Sequence, residues 1–274
     1  MSGDGTWTPR LVAVDIDGTL VDAAGMMPDA LYQAVQRVVD AGVPVVLATG
    51  RSWLASEGVA GYLRLPPGLH VCSNGAVVLE SQPVRLVREV TFDPAEVIDK
   101  VVEHSKALIA VEELGVGYRV SGGFPDGELF GEARCESIEE LKSRPVTRVV
   151  VRDPDADEED FLRLAQRLGL HGVTYYIGWS NWLDIAPAGV DKAAGLEVVC
   201  ERLGIDRADV LALGDGYNDI EMLQWAGRGV AIGDALPEVQ QAADHVTSRF
   251  ADGGTAEELV RWFPAADRAT SGRR

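Results

Sequence analysis

Two aspartates, Asp15 and Asp17, stand where the apolar run Leu11-Val12-Ala13-Val14 gives way to Asp-Ile-Asp-Gly-Thr. Side chains alternate faces along a strand, so a spacing of two turns both carboxylates toward one pocket. Close carboxylates repel, and they persist together when a divalent cation lies between them or when each has a different task. Taken alone, the pattern is equally well explained by a strand end followed by a turn. Three further motifs change the balance. Thr49-Gly50-Arg51 follows the valine-rich run 43–48, Ser73-Asn74-Gly75 follows the run 69–72, and Gly214-Asp215-Gly216-Tyr217-Asn218-Asp219 follows the run 210–213. If these strands are parallel, all four ends open on the side where open α/β sheets bind ligands. A hydroxyl, a lysine at the start of a helix (Lys192) and several acids then share one crevice.

The elements that must position these groups fall into two patterns. From the first strand to the run 77–79 the chain reads strand, helix, strand, helix, strand, as a parallel sheet covered by helices requires. The first helix, opened by Pro28-Asp29, carries Leu31, Val35, Val38 and Val39 at helical spacing and stops at Gly42. Ser52 is placed to cap the second. Between about Gln82 and Pro187 the pattern becomes strand, helix, strand, strand, met twice. Its first helix opens at Asp93-Pro94-Ala95-Glu96, a short one carries the capping-box spacing of Ser137 and Glu140, and another is expected over 157–168. The first pattern returns at Asp191. The expected fold is therefore α/β, a Rossmann-like parallel-sheet core (1–81 and 188–274) with an inserted α+β cap domain (82–187).

Composition bounds the partners. The 274 residues carry 46% hydrophobic and 25% charged residues, as soluble globular chains do, and 25 Lys+Arg against 43 Asp+Glu give a net charge of -18. Such a surface repels nucleic acid and anionic membranes, so neither is expected as a partner. An anionic substrate must then be held by a metal or by local cations. The three cysteines, Cys72, Cys135 and Cys200, form no zinc or disulfide pattern, and no signal core or membrane-length apolar run is present, which points to the cytoplasm. Oligomeric state leaves no trace in the sequence.

Over nearly its whole length the sequence resembles the haloacid dehalogenase superfamily, and within it the Cof-type phosphatases. The resemblance is carried by Asp15-Ile16-Asp17-Gly18-Thr19, Thr49-Gly50-Arg51, Ser73-Asn74-Gly75-Ala76, Gly189-Val190-Asp191-Lys192 and the run from Gly214 to Leu223. It implies an aspartyl-phosphate mechanism, with Asp15 as nucleophile and Asp17 as general acid and then base. It also implies Mg2+ held by the Asp15 and Asp215 carboxylates and the Asp17 carbonyl, with Asp219 supporting from behind. Thr49, the Gly50 amide and Lys192 would hold the phosphoryl group and Asn218 would orient it. Arg51 lies beside that site, either touching substrate or forming a structural ion pair. The implied substrate is a small phosphorylated metabolite, a sugar phosphate first, and the implied cap closes over the leaving group. The alternatives are a sugar phosphomutase and a silent binding or regulatory protein.

Other features have plainer readings. The acids of Asp153-Pro154-Asp155-Ala156-Asp157 lack the glycine and the final glutamate of a calcium loop, and Gly115-x-Gly117 lacks the third glycine of a dinucleotide loop. Trp179, Trp182, Tyr175 and Tyr176 are read as packing. Arg119, Asn181 and the loop 122–131 are candidates for contacts from the cap.

Overall fold

A computed structural model of the chain describes residues 7–153, 173–178 and 182–265. The expected helix at 157–168, together with Trp179 and Asn181, lies outside these residues. Strands are numbered in chain order.

The central strand β1 (Leu11–Val14) is buried along its whole length because both of its faces are apolar and both are covered. Leu11 and Ala13 join one apolar layer with Leu196 and Val199 of the helix Lys192–Leu203. Val12 and Val14 join the opposite layer with Leu31, Val35 and Val38 of the helix Asp29–Asp40. This is the doubly covered arrangement that near-continuous apolar strands demand. Parallel pairing sets the sheet order β14-β13-β12-β1-β2. Here β2 is Val45–Leu47, β12 Val210–Gly214, β13 Arg228–Ala231 and β14 His245–Val246. Beyond β2 the sheet continues through one parallel bridge, Ala48 to Val71, into β3 (Leu69–Cys72). The four motif-bearing strands β1, β2, β3 and β12 therefore end on the same side.

A second sheet has the order β10-β11-β9-β6-β7-β8 and is antiparallel except between β7 and β8. Its strands are β6 (Leu108–Glu113), β7 (Gly117–Val120), β8 (Glu132–Cys135), β9 (Val149–Arg152), β10 (Val173–Gly178) and β11 (Trp182–Pro187). Period-two alternation gives it two unlike faces. Ile109, Val111, Val149, Val151, Leu183 and Ile185 pack against the helix Ala95–His104 and Leu141. The intervening positions present Glu112, Tyr118 and Asp184, with Arg148 in phase just before β9, to the other side.

Three expectations are modified. The strand β5 (Arg85–Glu89), assigned by its position in sequence to the cap, instead pairs antiparallel with β4 (Val77–Glu80), because the two are neighbours along the chain and a hairpin closes at low entropic cost. The strand β8, not expected from the sequence, follows directly on the loop 122–131; its side chains are exposed, so no apolar pattern marks it. Ser52 occupies the N-cap position of the helix Trp53–Tyr62, but its hydroxyl makes no capping hydrogen bond. Ser137 does, in a full capping box with Glu140. Among the described residues no helix is long and apolar enough to cross a membrane.

His70, on β3, is buried, stacks on Trp53 at 5.1 Å between ring centroids and accepts the Leu47 N–H through Nδ1 at 3.2 Å. Burial pushes its pKa down to about 4. The unfolded chain binds this proton near pH 6.5 and the folded chain only near pH 4. The stabilisation from a neutral His70 is therefore complete above pH about 6.5 and is lost as the pH falls toward 4, to an extent of about 3 kcal/mol. His70→Gln should lower stability at neutral pH but flatten this part of the profile. Urea unfolding of both proteins between pH 7 and 4.5 reads the difference, and parallel profiles would remove His70 as its cause.

Candidate active site

The residue after β1, Asp15, donates its N–H to the Leu213 carbonyl at 3.0 Å, which fixes the base of the site between β1 and β12. Lys192 arrives from the first position of its helix, whose N-cap Asp191 accepts the Ala194 N–H at 2.8 Å. The helix start is pressed against the turn Ser73–Gly75 so closely that a Cβ on Gly75 (φ 95°) would overlap the Asp191 carbonyl. The Lys192 ammonium, wholly buried, donates to Asp15 Oδ1 and Asp219 Oδ1, each at 2.6 Å. Asp219 also receives the N–H groups of Asp215 (3.0 Å) and Gly216 (2.9 Å) on Oδ2, so it holds the loop after β12 in shape. Thr19 donates its hydroxyl to Asp215 Oδ1 at 2.7 Å. Gly18, with φ 80°, lets that carboxylate approach where a Cβ would overlap it.

Asp15, Asp215 and Asp219 each offer an oxygen, and these oxygens lie within 4.8 Å of one another. Burial, only partly offset by Lys192, raises the Asp15 pKa well above the carboxylate range. Burial and then Asp219 push Asp215 up to about 7. Burial opposes the Lys192 charge, but Asp15 and Asp219 outweigh it and hold its pKa above the ordinary value. Three buried carboxylates thus face one ammonium, and the cluster is short of positive charge. A hard divalent cation fits such an all-oxygen set.

The carboxylate of Asp17 stands outside this cluster. Arg51 grips it in a fork, with Nε at 2.8 Å from Oδ2 and Nη2 on Oδ1. The turn to Gly18 breaks the strand geometry that would have aimed both aspartates alike: Asp15 is buried and Asp17 exposed. Of the two readings of Arg51, the ion pair is the one present. Thr49 is buried, with its Oγ accepting the Arg51 N–H at 3.1 Å. Gly50 lies beside the paired amides of Asn74 and Asn218, which join through Nδ2 of Asn218 and Oδ1 of Asn74 at 2.9 Å. Asp15, Asp17, Thr49, Gly50, Arg51, Lys192, Asp215, Asn218 and Asp219 are therefore all at this sheet edge.

Several partners escaped the sequence reading. Thr19 and Asn74 lie inside recognised motifs but carry no distinguishing chemistry there. From the second sheet, Glu112 accepts the Ser73 hydroxyl at 2.7 Å, and Arg148 donates to the Gly50 carbonyl. A lone arginine before the run Val149-Val150-Val151 was the only available signal. Arg119, a candidate for contact from the cap, faces the other way: it donates to the Glu140 carbonyl at 2.8 Å and pairs with Glu136 at 3.3 Å.

A parallel sheet whose carboxyl edge gathers three buried aspartates, a buried lysine and a threonine defines a class of acid-rich α/β enzymes. The profile of the haloacid dehalogenase-like hydrolases matches residues 12–259, and the chain belongs to that family, in its Cof-type branch. It is similar to a phosphoglycolate phosphatase of Natronomonas pharaonis, 31% identical over 96% of this chain and 98% of that one. It is also similar to the 5-amino-6-(5-phospho-D-ribitylamino)uracil phosphatase YitU of Bacillus subtilis, 29% identical over 93% and 98%. The solved structure of a haloacid dehalogenase-like hydrolase from Bacteroides thetaiotaomicron superposes with a TM-score of 0.77, 26% identity, and coverage of 92% of this chain and 99% of that chain.

Proposed function

We propose that this chain is a Mg2+-dependent, cytoplasmic phosphatase that hydrolyses a small phosphorylated metabolite, with a sugar phosphate the first candidate. Residues 1–81 and 188–274 form its catalytic core and 82–187 its cap, except that β5 stays with the core through its pairing with β4. The observation that carries this reading is the Lys192 ammonium bound to both Asp15 and Asp219 beside Asp215, a charge arrangement suited to a phosphoryl group and a divalent cation. Phosphatase relatives aligned over nearly the whole chain support the class of reaction.

In this reading the ion is held by Asp15, Asp215 and the Asp17 carbonyl, with Asp219 behind them, and it supplies neutralisation of charge between two anions. Asp15, fixed through Oδ1 by Lys192, attacks phosphorus. As the Asp15 O–P bond forms, the P–O bond to the leaving group breaks, and Asp17 gives that oxygen its proton. Asp17, now a carboxylate, takes a proton from water. The resulting hydroxide displaces Asp15 from phosphorus, and phosphate is released. Thr49, the Gly50 N–H, Lys192 and Asn218 hold the equatorial oxygens. The Arg51 fork suits Asp17 as a carboxylate, so it assists the second, base-catalysed half and has to loosen for the first. Arg51→Lys, which keeps the charge but not the fork, should lower kcat by roughly tenfold with an unchanged melting temperature. Rapid-quench assays should show the loss in the hydrolysis of the phosphoenzyme; a loss confined to its formation would contradict this division.

The direct test is phosphate release from a panel of sugar phosphates, nucleotides and pyridoxal phosphate, with Mg2+ or with chelator. Metal-dependent release is expected. If no substrate releases phosphate but a sugar bisphosphate is isomerised, the chain is a mutase instead.

A further inference from the structure

Arg148 is a deeply buried cation outside the catalytic cluster. Its side chain is 4% exposed, and its partners within the second sheet lie on the face that meets the core. Nη2 donates to the Tyr118 hydroxyl, Nε lies 3.3 Å from Glu112, and Nη1 lies 3.4 Å from Asp184. Burial opposes its charge, but Tyr118, Asp184 and Glu112 together keep it protonated. Nη1 also crosses to the core and donates to the Gly50 carbonyl. That carbonyl belongs to the same peptide unit as the Arg51 N–H, which donates to Thr49 Oγ at 3.1 Å. With its oxygen used as an acceptor in this way, the Thr49 hydroxyl keeps its proton for another partner; among the described residues it donates to none. The same cap ion pair reaches the neighbouring core turn, since Glu112 accepts the Ser73 hydroxyl at 2.7 Å, and Ser73 N–H in turn donates to the Arg51 carbonyl at 2.9 Å.

We propose that Arg148 is a positioning residue that couples cap closure to phosphate binding: through the Gly50–Arg51 peptide it orients the Thr49 hydroxyl toward the phosphoryl oxygens. The cradle is then complete only while the cap is down. A polar joint suits this task, because a guanidinium and a carbonyl that separate are each taken up by water, whereas an apolar joint would resist opening. The inference rests on the phosphatase reading and extends it to the cap.

The test is a double-mutant cycle in the full chain between Arg148→Met and Thr49→Ala, with p-nitrophenyl phosphate and glycerol phosphate as substrates and orthophosphate as inhibitor. Arg148→Met should lower kcat/KM by a similar factor for both substrates, about 10- to 100-fold, and weaken orthophosphate inhibition. In the Thr49→Ala background it should have almost no further effect on kcat/KM, a coupling that general loosening of the fold does not produce. If Arg148→Met does not fold, Arg148→Lys keeps the charge toward Glu112 and Asp184, and the same cycle is read with it. Independent, multiplying losses, or a loss seen with one leaving group only, would overturn the proposal and make Arg148 a leaving-group contact. A wild-type protein that releases no phosphate overturns the phosphatase reading alone, and calorimetry with orthophosphate then decides: equal affinity of wild type and Arg148→Met overturns the inference, and no binding by either overturns both.

Discussion

Asp15→Asn is expected to reduce phosphate release by roughly 10^4-fold or more while leaving the fold intact. The substitution keeps the shape of the side chain and replaces an anionic oxygen by a neutral amide that cannot form the acyl phosphate. Its structural consequence should be small or favourable in the presence of chelator. Burial already holds the Asp15 pKa well above its usual value, and Asp219 and Asp215 add to that, so one negative charge fewer relieves repulsion. Lys192 retains Asp219 as partner at 2.6 Å. The measurement is phosphate release beside a thermal melt, both with Mg2+ and with chelator. Activity within tenfold of wild type would assign the nucleophile elsewhere. Lost activity with a collapsed melting temperature would make Asp15 a structural residue first. With Mg2+ present the variant should gain less stability from the ion than wild type does, because one of the oxygens offered to it is gone.

The same site shows how far the sequence could be read. Strand runs that are apolar on both faces, such as Leu11–Val14, announce a doubly covered parallel sheet, and the polar motifs that end them must then share an edge. Asp15, Thr49, Lys192, Asp215 and Asp219 were legible for that reason, since each sits at a fixed offset from a strand or helix end. What period-two reasoning could not supply was the aim of Asp17. It lies past the point where strand geometry ends, so its orientation follows from the turn at Gly18 and from Arg51, 34 residues away. The cap contribution was illegible for a different reason. Tyr118 and Arg119 are adjacent, and the phase of β7 alone decides that Tyr118 meets Arg148 and the core while Arg119 pins the helix Ile138–Leu141. A slip of one residue in register exchanges the two. That register is set by pairing with β6 and β8, and β8 carries no apolar signal at all.

Lys192→Met should be the most costly substitution in the core for stability, by about 3–5 kcal/mol in the metal-free protein, and should abolish activity with it. Methionine fills a similar volume, so the cost arises from charge: Asp15 and Asp219 lose the ammonium that lies 2.6 Å from each and remain buried beside Asp215. Two routes can relieve them, and they make the argument testable. A divalent cation supplies the missing charge, so Mg2+ should raise the unfolding midpoint of the variant more than that of the wild type. Protons do the same: with Lys192 gone, the raised carboxylate pKa values rise further, and a group whose pKa is raised on folding stabilises the fold increasingly as the pH falls. The deficit of Lys192→Met against wild type should therefore shrink between pH 8 and pH about 5, the opposite trend from that assigned to His70. Urea unfolding at both pH values, with chelator and with Mg2+, measures all of this in one series. A deficit below about 1 kcal/mol, or one independent of pH and metal, would show that Lys192 contributes by packing and that the carboxylate cluster is neutralised by other means.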